Sequence, residues 1–350
     1  MSVQEYFLGG NSAVGFRTKF SEQINKPGFY TYILKGGPGT GKSTLMKKTA
    51  EYFSESPMSL YRCSSDLNSL DAVVIEDKKI IIVDGTAPHV FDPVYPGVSQ
   101  EIINLGNFWD KSKLIKNGKA IKSLIDENQK YHLTVRRYIE AISSLNSDIY
   151  RQGENALDKA KLEAYTERLS KKIMKKNSPS EKGKAEFRHL SAFTQEKYKT
   201  MPIKDIDSSY FIKDDYFAGG NMFLRLLADI LNSNGYDVII SECNMLHETV
   251  YEHLIVKSLG ISFVTGNFFN ELTSKGENVI NFQRFYNKEK LSSKKQRINF
   301  NKKAVTELSE EASNCLKKAL EIHDELEKYY IDAIDFKKLD KMTTEFIQSL

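Results

Sequence analysis

The chain has 350 residues, of which 40% are apolar and 27% are charged, so it is long enough to bury a substantial core and we expect two domains. Its 50 Lys and Arg residues against 46 Asp and Glu residues leave a formal charge of +4, which makes nucleic-acid binding possible but does not favour it. No apolar run approaches the roughly 20 residues of a membrane-spanning helix, and the start lacks a signal-peptide pattern, so we expect a cytoplasmic protein with no membrane partner.

Three strands and one helix are predicted in the first 85 residues. Alternating apolar character predicts a strand at residues 29–35, glycines at 36–41 break it, and residues 42–53 have helical spacing. Further strands are predicted at residues 60–63 and 80–83, the latter apolar throughout and therefore buried on both faces. Because strands alternate with helices, we expect a parallel α/β sheet.

From about residue 100 the sequence becomes rich in Lys and Glu with helical spacing, which predicts long helices. The chain also matches itself. Residues 103–121 resemble residues 280–298 at an offset of 177, and residues 32–50 resemble residues 210–228 at an offset of 178. These collinear matches predict a tandem duplication.

The duplication predicts a first domain at residues 1–178, a linker at 179–185 and a second domain at 186–350. The join is basic, polar and rich in residues that break helices and strands. Each half is expected to end in long helices. In the second half, apolar residues keep a heptad spacing from Val305 to Tyr329, which is typical of a helical hairpin.

The strongest chemical pattern lies between the first predicted strand and its helix. It matches G-x-x-x-x-G-K-[ST], the Walker A motif, in which glycines let backbone N–H groups curl around a phosphate. Lys42 is expected to neutralise charge between the β- and γ-phosphates, and the Ser43 hydroxyl to ligate Mg²⁺. The predicted phosphate-binding residues are Gly36, Gly37, Pro38, Gly39, Thr40, Gly41, Lys42, Ser43 and Thr44.

Three residues at other strand ends are candidates for catalysis. Asp84 follows the strand at 80–83 and is predicted to be the Walker B carboxylate, which orients Mg²⁺ or a metal-bound water. Gly85 comes next, where hydrolytic proteins of the AAA type usually have Glu, so the general base is unassigned. Asp66 either holds a hydroxyl or water, or caps a turn in the run SSDLNSLD. His89 is either a proton acceptor or γ-phosphate sensor, or an ordinary surface residue.

The matching loop of the second half, residues 214–221, reads DDYFAGGN, so Gly220 and Asn221 replace Lys42 and Ser43. Two acidic residues lie where phosphates would bind, which predicts that this site does not hold a triphosphate. In duplicated proteins, the inactive repeat commonly lines part of the active site of the other repeat. The second half therefore offers three candidate arginine fingers: Arg225, Arg284 and Arg297.

The segments GGPGTGKSTLMKK, CSSDLNSLDAVVI and IVDGTAPHVFDPVYPG resemble a group of bacterial tandem P-loop ATPase-like proteins over essentially the whole chain. In that group both halves tend to carry glycine loops, and this chain departs from it at residues 214–221. The resemblance implies ATP as the ligand and supplies no physiological substrate. Motif and repeat together predict an α/β fold, with a parallel P-loop NTPase sheet duplicated in tandem and long helical hairpin segments after each half.

Three functions fit these patterns and differ in where the γ-phosphate goes. The favoured one is an Mg²⁺-dependent ATPase acting through the first domain, a nucleoside-triphosphate hydrolase that passes the phosphate to water. A small-molecule kinase would pass it to a nucleoside or metabolite. A nucleotide-gated interaction protein would hydrolyse little and would bind an unidentified protein partner.

Overall fold

The computed structural model describes residues 3–18, 20–87, 90–175, 181–270, 272 and 278–350. This part of the chain is an α/β protein with two six-stranded sheets, two two-stranded sheets and several long helices. Within the same residues, no helix combines the length and apolar character needed to cross a membrane.

In each half, runs of consecutive strands are interrupted by one or two helices and are followed by a group of helices. The first half has strands β1 (Val3–Phe7), β2 (Gly9–Ser12), β3 (Gly15–Thr18), β4 (Tyr30–Lys35), β5 (Met58–Arg62), β6 (Leu70–Ile75), β7 (Ile80–Asp84) and β8 (Gln100–Asn104). Its helices are α1 (Ser21–Ile24), α2 (Lys42–Tyr52), α3 (Lys111–Lys116), α4 (Gly118–Ala156) and α5 (Lys159–Ile173). The second half has strands β9 (Ala185–Phe187), β10 (Ser191–Thr194), β11 (Lys197–Thr200), β12 (Ser208–Lys213), β13 (Val238–Cys243), β14 (Val250–Val256), β15 (Ile261–Gly266) and β16 (Val279–Asn281). Its helices are α6 (Ala218–Ser233), α7 (Lys288–Ser292), α8 (Lys295–Ala333) and α9 (Phe336–Ser349).

The sheet of the first half has the strand order β1-β5-β6-β7-β4-β8 and is mixed. Three neighbouring pairs are parallel, but β6 runs antiparallel to both β5 and β7. The predicted α/β fold is confirmed, but the sheet is mixed rather than parallel throughout. The cause is local. Only residues 76–79 separate β6 from β7, and Ile75 at the end of β6 pairs with Ile80 at the start of β7. A connection that short joins antiparallel strands only.

The sheet of the second half repeats this layout. Its order is β9-β13-β14-β15-β12-β16, with β14 antiparallel to both neighbours and the other pairs parallel. The last helix of each half also begins in the same way, because α5 and α9 both start after an aspartate that caps the helix. Asp158 accepts a hydrogen bond from the amide of Lys161, and Asp335 accepts one from the amide of Lys338.

The chain divides into two compact units that do not coincide with the two halves of the sequence. Unit 1 comprises Met1–Gly9, Thr18–Val135 and Ser313–Leu350, and unit 2 comprises Gly10–Arg17 and Arg136–Ala312. Unit 1 thus combines the first sheet with α9 and the last turns of α8. In its core, Leu339 of α9 packs in one cluster with Leu34 of β4 and Leu45 of α2.

In unit 2 the second sheet and α6 share a core with α5. Leu162 and Leu169 of α5 lie in one buried cluster with Leu224 of α6 and Phe263 of β15. The predicted linker lies in this part of the chain. Its residues 179 and 180 fall outside the described residues, and 181–184 form neither helix nor strand before β9 begins.

The other predicted elements of the first half lie where the sequence placed them. β4, α2, β5 and β7 begin and end within two residues of the predicted bounds. The prediction that residues 80–83 are buried on both faces is confirmed, since all four have at most 6% of their surface exposed. These elements position the glycine-rich loop at the carboxyl end of β4.

Candidate functional site

The glycine-rich loop turns the chain sharply from β4 into α2. Gly39 has φ 64° and Gly41, the residue before the helix, has φ 85°. Both lie in the left-handed region that glycine adopts without strain. The first N–H groups of a helix have no partner within the helix, so the loop leads directly into a potential anion-binding end.

Lys42 and Asp84 lie together in unit 1, because β4 and β7 are parallel neighbours whose carboxyl ends meet at one sheet edge. Lys42 Nζ donates to the carbonyl oxygens of Gly36, at 3.1 Å, and Gly37, at 2.9 Å, and lies 3.7 Å from Asp84 Oδ2. Asp84 Oδ1 accepts hydrogen bonds from the amide and hydroxyl of Thr86, at 2.9 and 2.6 Å. The structure therefore brings the two principal predicted residues into one charged pair.

The Ser43 hydroxyl lies at the start of α2, beside the first residue of β6. Its oxygen accepts a hydrogen bond from the amide of Leu70 at 2.9 Å. A hydroxyl oxygen has a second lone pair, so this contact is compatible with the predicted metal ligation. Thr40 is almost fully buried and its hydroxyl donates to the Gly37 carbonyl at 2.8 Å, which braces the loop from inside. Thr44 is exposed on α2.

Packing explains why a glycine, Gly85, follows Asp84. A Cβ atom at this position would lie 2.4 Å from Ile33 Cγ2 and 3.1 Å from the carbonyl oxygen of Phe91. No side chain fits against β4 at that distance. The absence of Glu after Asp84 is therefore a requirement of the sheet.

Of the two remaining catalytic candidates, Asp66 is held in a turn of its own. Asp66 Oδ1 accepts from the amide of Asn68 at 3.0 Å, and Asp66 Oδ2 accepts from the hydroxyl of Ser69 at 2.5 Å. Asp66 thus caps the turn that leads into β6, which is the alternative role that the polar run indicated. His89 lies outside the described residues.

Two side chains of α8, both in unit 1, contact the loop and were missed by sequence reasoning. The amide of Gly39 donates to Glu327 Oε1 at 2.9 Å. A Cβ atom at Gly37 would lie 2.7 Å from Tyr330 Cε1, and one at Gly39 would lie 3.1 Å from the carbonyl oxygen of Glu327. Glycine at both positions therefore lets α8 approach the loop closely. No local pattern links Glu327 to a loop 288 residues earlier.

In the matching loop of unit 2, the carboxylate of Asp214 accepts hydrogen bonds from amides of the loop itself. Asp214 Oδ2 accepts from the amide of Gly220 at 2.7 Å, and Asp214 Oδ1 accepts from the amide of Tyr216 at 3.1 Å. The hydroxyl of Tyr286 donates to both oxygens, at 2.9 and 3.0 Å. Burial raises the pKa of Asp214, which is 1% exposed. An internal acid thus occupies amides that a phosphate would need.

The three candidate arginine fingers all lie in unit 2, and each contacts a neighbour there. Arg225 donates to a side-chain amide, Arg284 lies over an aromatic ring and Arg297 forms a salt bridge. Their respective partners are Asn221, Tyr165 and Asp148.

Comparisons of the chain with protein-family models, with curated proteins and with solved structures found no match. Unit 1 contains four groups that matter here. The Gly39 amide already binds an anionic oxygen, Lys42 supplies an ammonium group, Ser43 supplies a hydroxyl and Asp84 supplies a carboxylate. This donor set fits a polyphosphate with Mg²⁺, because anions need N–H and ammonium donors and Mg²⁺ prefers oxygen ligands.

Proposed function

We propose that unit 1 binds a nucleoside triphosphate with Mg²⁺ through residues 36–44, with ATP as the nucleotide, and hydrolyses it. One observation carries the proposal: the Gly39 amide binds an anionic oxygen beside a lysine and an aspartate that already form a pair. Glycine loops of this sequence between a strand and a helix are typical phosphate cradles.

Lys42, Ser43 and Asp84 would have different roles in binding the nucleotide. Lys42 would exchange the two loop carbonyls that it now contacts for oxygens of the β- and γ-phosphates. Ser43 and Asp84 would hold Mg²⁺, which neutralises phosphate charge when it is bound. In this arrangement Asp84 contributes more to turnover than to affinity, because it acts through the metal.

A nucleotide-gated interaction protein with little hydrolysis is the second candidate. The observation that favours it is the lack of a general base among the described candidates, since Asp66 caps its own turn and Gly85 admits no side chain. In that case, bound nucleotide would change the contacts of α8 rather than drive rapid turnover.

Incubation with γ-labelled ATP and Mg²⁺, with and without a cell metabolite extract, separates the functions. Labelled free phosphate is expected for the ATPase, a labelled small molecule would indicate a kinase, and unchanged ATP would favour the interaction protein. Lys42→Ala should abolish any phosphate release. Release at the wild-type rate by Lys42→Ala would contradict the assignment of the loop.

A further inference from the structure

The contact between Glu327 and Gly39 places a carboxylate on an amide of the phosphate-binding loop. The N–H of Gly39 donates to Glu327 Oε1 at 2.9 Å. A hydrogen bond to a charged acceptor is roughly twice as strong as a neutral one. A phosphate that approached the same amide would meet the carboxylate charge, and two anions at contact distance repel each other.

The surroundings of Glu327 hold it in place without enclosing it. The α8 backbone packs against the loop, since a Cβ atom at Gly39 would lie 3.1 Å from both the Glu327 carbonyl oxygen and Ile331 Cγ1. His323 Nδ1 lies 3.8 Å from Glu327 Oε1. The Glu327 side chain is 33% exposed, so its carboxylate can swing into solvent when it leaves the amide.

We propose that Glu327 is an internal competitor of the triphosphate: nucleotide binding displaces its carboxylate from Gly39 and loosens the last turns of α8. This inference rests on the proposed function, since it concerns regulation of the same loop. The Asp214 carboxylate of unit 2 provides an internal parallel, because it accepts from two amides of the matching loop. That acid is buried, whereas the Glu327 side chain comes from α8 and is 33% exposed.

The last turns of α8 are connected to a natural reporter. Trp109 is the only tryptophan of the chain, and its ring centroid lies 5.5 Å from that of Tyr330, three residues after Glu327. The backbone beside it also pairs with the end of α8, because the amide of Asp110 donates to the carbonyl of Ala333 at 2.7 Å. A change in α8 packing should therefore alter Trp109 emission.

The test is calorimetric titration of Mg·ATP into the full chain, with Trp109 emission recorded at each point. Glu327→Ala removes the competing group, and Glu327→Gln removes only its charge. Glu325→Gln makes the same neutral change two residues away on an exposed part of α8. We expect about ten-fold tighter binding for Glu327→Ala, an intermediate gain for Glu327→Gln and wild-type affinity for the control. Wild-type emission should change on binding, and by less in Glu327→Ala.

The outcomes separate this inference from the proposed function. Wild-type binding with equal or weaker affinity in both Glu327 variants, or with unchanged Trp109 emission, would overturn the inference and leave the nucleotide site standing. Binding by Glu327→Ala alone would support strong competition. No heat from the wild type or from either Glu327 variant would overturn the proposed function itself.

Discussion

Asp84 has two neighbours that depend on different properties of its side chain. Oδ1 accepts hydrogen bonds from Thr86, which an amide oxygen can replace, whereas the negative charge faces Lys42 at 3.7 Å. Asp84→Asn therefore keeps the turn and removes the charge that would hold Mg²⁺.

We expect Asp84→Asn to lower ATP turnover by more than about ten-fold while changing the dissociation constant by less than about three-fold. Phosphate release and calorimetry measure the two quantities. Asp92→Asn is the matched control, because Asp92 pairs with Lys35 at an exposed position and should match the wild type. Equal losses of affinity and turnover in Asp84→Asn would contradict the assigned role.

Gly85 allows a steric prediction. Gly85→Ala places a methyl group 2.4 Å from Ile33 Cγ2, and we expect it to lower the free energy of unfolding by about 1–3 kcal/mol. Gly118→Ala is the control, because a Cβ atom there meets no atom within 4 Å and should leave stability unchanged or higher. Urea unfolding measures both variants. A Gly85→Ala protein as stable as the wild type would show that the sheet accepts a side chain there.

Glu252 of β14 is a buried acid in unit 2, 3% exposed. It accepts hydrogen bonds from the Tyr198 hydroxyl at 2.8 Å and the Asn270 side-chain amide at 3.3 Å. Burial raises its pKa from 4.5 to about 7. Because the raised value means that the fold favours the protonated acid, this stabilisation is complete below pH 4.5 and is lost as pH rises to about 7.

Glu252→Gln removes this titration, since the amide stays neutral at every pH. Relative to the wild type, the free energy of unfolding of Glu252→Gln should increase by about 3 kcal/mol between pH 4 and pH 8. Urea unfolding at a series of pH values measures the difference. Glu163→Gln, an exposed change on α5, should give a difference that does not vary with pH. The same flat profile for Glu252→Gln would contradict the assignment.

At the scale of elements, β6 is the main feature that sequence reasoning missed. Residues 72–75 form a continuous apolar run after Asp71, and all six residues of β6 are buried. The turn that follows contains Lys79 at φ 56° but neither glycine nor proline, so the usual hairpin signal was absent. Pairing of residues 70–75 with both β5 and β7 is a tertiary property, and local spacing does not encode it.

Helix α9 belongs to the core of unit 1, and a pair of variants tests this. Leu339 is 5% exposed in the cluster that contains Leu34 and Leu45, whereas Phe336 of the same helix is 42% exposed. We expect Leu339→Ala to cost about 2–5 kcal/mol of unfolding free energy and Phe336→Ala less than about 0.5 kcal/mol. Thermal or urea unfolding measures both costs. Similar small costs would mean that α9 does not complete this core.

At the scale of the molecule, the repeated layout was predictable, whereas the composition of the units was not. Matches at offsets of 177 and 178 predicted two similar halves, and the structure has the same strand order in both. The glycine loop and the choice of Lys42 and Asp84 as site residues followed from motif spacing and from their places after predicted strands. The contact of Glu327 with the loop depends on residues 313–350 joining the first sheet in unit 1. No sequence pattern specifies that association.

Calorimetric titration of Mg·ATP into the full chain and two lysine variants is the sharpest test of nucleotide binding by the glycine loop. We expect saturable binding for the wild type and for Lys47→Ala, which removes an exposed lysine of the same helix. We expect no binding for Lys42→Ala, whose ammonium group lies at the loop. Equal heat from Lys42→Ala, or no heat from the wild type and from Glu327→Ala, would contradict this prediction.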